Sequence, residues 1–157
     1  MLNLPINTLY LSLDQLNVYD NNVPKVTVIM VKFLTLEYWD SVKETANKDE
    51  EFKRGAYGFI ATFTYKVTDR DDLPSVFMKF DDGAVAEVRE LNEGEKTEYT
   101  LQAPYDVWTQ VSKGDLDGPT AIMTRQMIFL GSMGTIMRYG KAFKRLLDLM
   151  KEIQTEY

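Results

Sequence analysis

The residues able to do chemistry here are carboxylates, amines and phenols. The 157-residue chain contains neither histidine nor cysteine. Without them, Ser-His-Asp and Cys-His nucleophile systems cannot be assembled, nor can zinc or copper sites built on imidazole or thiolate. Disulfides are excluded as well. What remains for an enzyme is acid–base work by carboxylate, lysine or tyrosine, or a carboxylate-bound Mg or Ca site. The acidic groups cluster at Asp69-Arg70-Asp71-Asp72, Asp81-Asp82 and Asp115-Leu116-Asp117. The first cluster continues into Leu73 and Pro74 where a calcium loop needs an oxygen ligand and a glycine. All three lie in turn-like sequence, where Asp is favoured by hydrogen bonds to its own backbone. The expectation is turn chemistry, with no metal and no cofactor.

Other motifs point away from phosphate and nucleic acid. Gly131-Ser132-Met133-Gly134 is a bare G-x-x-G with no basic residue inside it, and no G-x-G-x-x-G or G-K-[ST] occurs. Eighteen basic residues against 24 acidic ones give a net charge of −6, which disfavours a polyanionic partner unless positive charge gathers on one face. Such a face is offered near the C-terminus by Arg138, Lys141, Lys144, Arg145 and Lys151. It is either a solvated helix face or a place for transient contact with an anionic membrane surface. Five of the seven internal methionines (Met123, Met127, Met133, Met137 and Met150) fall in the same region, as core filler or as the lining of an adaptable apolar cavity.

The elements that must position these groups follow from periodicity. Leu9, Leu11 and Leu13 alternate with polar residues, and Lys25 to Phe33 is β-branched, so residues 1–34 read as an extension folded into a β-hairpin. That hairpin could pair across a homodimer. Thr35 caps a helix carrying Leu36, Trp39, Val42 and Ala46 on one stripe. From Tyr57 to Val67 the period is two, with Phe59, Ala61, Phe63, Tyr65 and Val67 on one face. Val76–Phe80 and Ala84–Arg89 flank the turn Asp81-Asp82-Gly83, and Glu95–Leu101 follows, giving an expected antiparallel meander. Pro104–Lys113 reads as a helix with Val107, Trp108 and Val111 inward, Gly118-Pro119 as a further helical turn, and Gln126–Leu130 as a strand. Ser132 then caps one long final amphipathic helix bearing Met133, Ile136, Met137, Phe143, Leu147 and Met150. The order is α+β, and residues 35–157 form the main domain. The N-terminus lacks a secretory signal pattern and no apolar run reaches membrane-helix length, so a soluble, cytoplasmic protein is expected.

One further pattern emerges from the order of these pieces. A helix led by Tyr38-Trp39 breaks at Asn47-Lys48-Asp49-Glu50, a long aromatic strand ends Val67-Thr68-Asp69, and a hairpin carries Phe80-Asp81-Asp82-Gly83. The Trp108 helix then leads into Gly114-Asp115-Leu116-Asp117, followed by Ala121-Ile122-Met123-Thr124 and by Gly131 before the last helix. Over roughly residues 36 to 153 this order resembles the sterol carrier protein family, a non-specific lipid-transfer domain also found fused to larger enzymes. Arg125-Gln126 stands where the family usually shows Gly-Lys.

The resemblance implies a mostly antiparallel five-stranded sheet with helices on one face. Between them it implies an apolar tunnel for a fatty acid, acyl thioester or sterol, used for binding or transfer without catalysis. Enclosing about twelve methylenes at roughly 0.8 kcal/mol each gives on the order of 10 kcal/mol before association costs. Candidate liners are Phe77 and Phe80 from the hairpin, and Val107 and Val111 from the Trp108 helix. Ile122, Met123 and Phe129 follow, then Met133, Ile136, Met137 and Phe143 on the last helix. Arg125 and Arg138 could meet an acidic head group. The rival reading is a protein-interaction or regulatory module with the same fold and a filled interior.

Overall fold

Thr35 opens the first helix as expected, its Oγ1 accepting the Tyr38 N–H at 3.4 Å, and α1 (Leu36–Lys48) then buries Tyr38, Trp39, Val42 and Ala46. The computed structural model to which this helix belongs describes residues 28–157. The Leu9–Leu13 alternation, most of the expected hairpin and its dimer contact lie outside those residues. Of the expected extension, Val31, Phe33 and Leu34 are buried in the core, and β1 (Val31–Lys32) pairs in parallel with a C-terminal β7 (Thr155–Glu156).

Asp49 ends α1 and caps α2 (Glu50–Gly55), its Oδ1 accepting the Phe52 N–H at 2.7 Å. The sheet follows with β2 (Ile60–Val67), β3 (Val76–Asp81) and β4 (Ala84–Glu90). The β3–β4 turn works because Asp82 (φ 48°) and Gly83 (φ 89°) are both left-handed, the backbone a two-residue hairpin requires. Strand β4 is an edge, and Asn47 of α1 covers it: its amide accepts the Val85 N–H at 2.8 Å and donates to the Val85 carbonyl at 2.9 Å.

The meander stops there. Strand β5 (Tyr99–Ala103) pairs with the other side of β2, in parallel, with Phe63 opposite Tyr99. Residues 91–98 make this crossing over the sheet's outer face, where Arg89 grips Glu95 through two bonds of 2.8 and 2.7 Å and Thr97 bonds Thr64 at 2.8 Å. The sheet is therefore mixed, in the order β4-β3-β2-β5-β6, with β6 (Ile128–Leu130) antiparallel to β5.

Helix α3 (Tyr105–Lys113) exits through Gly114 at φ 81° and sends Val107, Trp108 and Val111 inward. Helix α4 (Gly118–Met123) is capped by Asp117. The expected single final helix is two helices: α5 (Met133–Arg138) and α6 (Gly140–Met150), broken at Tyr139. Gly140 is a poor helix former, and the break lets the Tyr139 ring rest on Phe59 at 4.6 Å while α6 presents Phe143 to the sheet. Helices cover the face bearing Ala61, Phe63, Tyr65 and Val67; there Trp39 stacks on Tyr65 at 4.6 Å.

Candidate lipid site

The acidic clusters hold backbone. Asp69 accepts the Tyr105 N–H at 2.8 Å at the start of α3, and Asp82 accepts the Gly58 N–H at 2.8 Å. Asp117 accepts the Thr120 N–H at 3.1 Å. Arg70 donates two 2.7 Å bonds to Asp72 and holds its carboxyl down at about 2. Among the described residues no three acidic side chains are grouped to hold a metal ion.

The basic face divides in two. Arg145 reaches from α6 to Asp49 at 2.6 and 3.1 Å, so its guanidinium keeps that carboxyl below the ordinary Asp range. Lys144 and Lys151 both bind Asp148, at 2.8 and 3.0 Å. Arg138 and Lys141 make no ion pair among the described residues, and Arg138 lies 5.4 Å from the Tyr139 ring centre. Of this C-terminal basic set, the two without an ion pair among the described residues, Arg138 and Lys141, flank the α5–α6 junction.

That junction borders a cleft. Phe59 and Ile60 at the start of β2, Tyr99 of β5, and Ser132, Thr135, Arg138 and Tyr139 around α5 line an open-mouthed space of about 490 Å³. Such a volume falls in the range of small-molecule sites. Its walls are mixed by construction: rings of Phe59 and Tyr99 on the sheet side, and on the helix side the Tyr139 ring, the hydroxyls of Ser132 and Thr135 and the Arg138 guanidinium. More of the cleft's surface is polar than apolar, with the largely buried rings of Phe59 and Tyr99 behind it, so the open part of the cleft suits a polar head group and leaves an apolar tail only the ring surfaces.

Deeper in, rings meet rings. Phe143 lies 5.4 Å from Phe59, 5.2 Å from Phe63 and 6.0 Å from Phe80. A near-parallel stack then runs Tyr65–Phe63–Tyr99–Phe129 with spacings of 5.8, 4.8 and 5.8 Å. Aromatic side chains therefore occupy the space beneath α6, and the cleft opens beside them.

The residues expected from sequence are dispersed over this arrangement. Phe80, Phe129 and Phe143 belong to the ring assembly, and Arg138 lines the cleft. Phe77 projects from the opposite face of the sheet, opposite Thr64 and beneath the Arg89 guanidinium at 3.9 Å. Val107 and Val111 are core residues of α3, and Ile122 and Ile136 are half-buried against the core. Met123, Met133 and Met137 face solvent, and Arg125 sits exposed in a left-handed turn after α4. Phe59, Tyr99 and Tyr139 were not among the expected liners. The alternation of β2 already placed Phe59 on the inward face, but only the β2–β5 pairing brings Tyr99 to it.

The same architecture recurs in solved structures. A crystal structure of sterol carrier protein 2 superposes with a TM-score of 0.68 at 16% identity, covering 78% of this chain and 99% of that one. The solution structure of a conserved hypothetical protein from Thermus Thermophilus gives 0.70 at 15% identity, covering 80% and 92%. A sec-alkyl sulfatase double mutant gives 0.51 at 17% identity, covering 76% of this chain but only 16% of the enzyme, so the fold also occurs as a small part of a larger chain. At these identities the likeness is one of fold. A search of curated proteins finds no match. No helix among the described residues is long and apolar enough to cross a membrane. Residues 41–144 match the SCP-2 sterol transfer family, and the chain belongs to that family.

Proposed function

We propose that this chain is a carrier for a single-tailed lipid, a fatty acid or a close relative, and performs no catalysis on it. One observation carries the reading: the cleft joins an aromatic wall to a guanidinium with no ion-pair partner among the described residues. In this reading the acidic head group lies between Arg138 and the hydroxyls of Ser132 and Thr135, and the tail runs over Tyr99 and Phe59. The tail continues inward as a tunnel beneath α6, where Phe143 must swing aside. About twelve methylenes at roughly 0.8 kcal/mol each give on the order of 10 kcal/mol, from which association and displacement of the Phe143 ring subtract, so micromolar affinity also requires the head-group contacts at Arg138.

The test is native purification, organic extraction and mass spectrometry, followed by titration with a fluorescent fatty acid. A co-purifying lipid and a saturable signal are expected. An empty extract and a flat titration into the high micromolar range would leave the second reading, an interaction module of the same fold, which the ring-filled interior favours.

A further inference from the structure

We infer that Tyr139 is the gate between the cleft and the space beneath α6, admitting an unbranched tail and turning away a fused-ring sterol; the inference rests on the carrier reading and narrows its ligand class. Tyr139 lines the cleft, and its ring lies on that of Phe59 at 4.6 Å. Phe59 in turn lies 5.4 Å from Phe143, so a tail moving inward over Phe59 must lift the Tyr139 ring off it before reaching Phe143. Only one ring of that pair can yield. Phe59 is 3% exposed and packs on Phe63 and Phe80. Its backbone is held as well, the N–H donating to the Ala56 carbonyl and the carbonyl accepting the Asp82 N–H, each at 2.9 Å. Tyr139, by contrast, is half-buried at a joint between two helices, where the backbone leaves helical geometry at φ −105°, ψ 17°. A Cβ on the following Gly140 would meet no described atom within 4 Å. The Tyr139 ring can therefore turn without carrying α6 along.

Helix α6 itself is tied down along its length. Ala142 in its first turn is 3% exposed and sits against Gly55 of α2, where a Cβ on Gly55 would lie 3.4 Å from the Ala142 Cβ. One turn on, Arg145 holds Asp49 at 2.6 Å, and Leu147 lies flush against Gly118, leaving no room for a Cβ there. Beyond the helix, β7 is fastened to β1, the Phe33 N–H donating to the Glu156 carbonyl at 2.8 Å. These ties set the spacing between helix and sheet, so the room a ligand can gain is the room that side chains vacate, first the Tyr139 ring and then the Phe143 ring. A polymethylene tail is slimmer than a phenyl ring and flexible enough to follow that path in single file. A sterol nucleus is a rigid plate of four fused rings, and neither turning one ring nor bending round Phe59 makes way for it.

The test uses the full chain, a fluorescent fatty acid and a fluorescent sterol. The chain has no cysteine of its own, so Gly55→Cys/Ala142→Cys can form a single intramolecular disulfide, which the 3.4 Å Cβ spacing allows and which locks the first turn of α6 to α2. The oxidised and reduced forms should bind the fatty acid with the same affinity, and the sterol should give a flat titration with the wild-type protein. In stopped-flow mixing, Tyr139→Ala should take up the fatty acid several-fold faster than wild type, Tyr139→Leu faster by a smaller factor, and Tyr139→Phe, which keeps the ring, at the wild-type rate. Loss of fatty-acid binding on oxidation, reversed by reductant, would show that α6 must lift and overturns the inference. Saturable sterol binding by the wild-type protein overturns it too, as do wild-type uptake rates in folded Tyr139→Ala and Tyr139→Leu. A flat fatty-acid titration of the wild-type protein removes the carrier reading and the gate with it; saturable binding that fails any of the other tests removes only the gate.

Discussion

Gly131 lies flush against the ring of Tyr99: a Cβ placed on Gly131 would stand 2.2 Å from Tyr99 Cδ1, and its φ of 140° suits glycine alone. The turn from β6 into α5 therefore passes directly over the ring that forms the cleft wall. Gly131→Ala should cost about 1–3 kcal/mol through overpacking and backbone strain. Because Tyr99 must move to admit the methyl group, the variant should also weaken fluorescent fatty-acid binding several-fold at temperatures where it stays folded. Chemical denaturation and titration of the same preparation check both. Unchanged ligand affinity in a folded Gly131→Ala protein would detach Tyr99 from the site.

Asp49 joins three elements, capping α2 while its carboxylate holds Arg145 of α6. The two contributions can be separated, since Asn keeps the cap and loses the charge. Asp49→Ala should destabilise by about 1–2 kcal/mol and Asp49→Asn by about 0.5 kcal/mol, the latter falling as salt screens the pair. Urea midpoints at low and high salt provide the measurement.

Arg89, with the Asn92 N–H, holds the Glu95 carboxyl down at about 2 from an ordinary 4.5. A carboxyl depressed in the folded state adds stability that is complete above pH 4.5 and is lost as pH falls from there toward 2. Glu95→Gln should therefore flatten the acid limb of a stability–pH profile between those values while leaving its shape at neutral pH unchanged. Since this pair guides the crossing of residues 91–98, Arg89→Ala should loosen that segment, read as faster amide exchange at Glu98, whose N–H donates to Thr62 Oγ1 at 3.1 Å, and at Thr62, whose N–H donates to the Glu98 carboxylate at 3.0 Å.

How far the sequence carried is visible at particular residues. Thr35 and Ser132 cap helices where short polar side chains precede apolar runs, and the inward face of β2 follows its alternation, because both are local effects. Phe77 was not separable from Phe80, since Val76-Phe77-Met78 is apolar on both faces and Arg89 shields the outer one only in three dimensions. The parallel seat of β5 depends on the Arg89–Glu95 and Thr64–Thr97 contacts, which no periodicity encodes. The break at Tyr139 was hidden by an apolar stripe that continues across it. The cleft was hidden for the same reason: Phe59, Tyr99 and Tyr139 meet only once the sheet order and that break are both in place.

Phe143 tests whether the interior can be made to yield. Half-buried on α6, it packs on Phe59, Phe63 and Phe80 directly behind the cleft. Phe143→Ala removes the ring and leaves a void contiguous with apolar walls, at a cost of about 2–3 kcal/mol, somewhat below that of a fully buried Phe. A carrier whose tail must displace this ring gains what the displacement cost, so fatty-acid affinity should rise, and the preference should move toward longer chains. A module with a permanently filled interior gains nothing and loses only stability. Parallel melting curves with and without a saturating fatty acid distinguish these, because ligand bound to the folded state alone raises Tm by mass action. A ligand-induced rise larger in Phe143→Ala than in the wild-type protein is the expected result. An equal or smaller rise would mean that the tail does not run beneath α6.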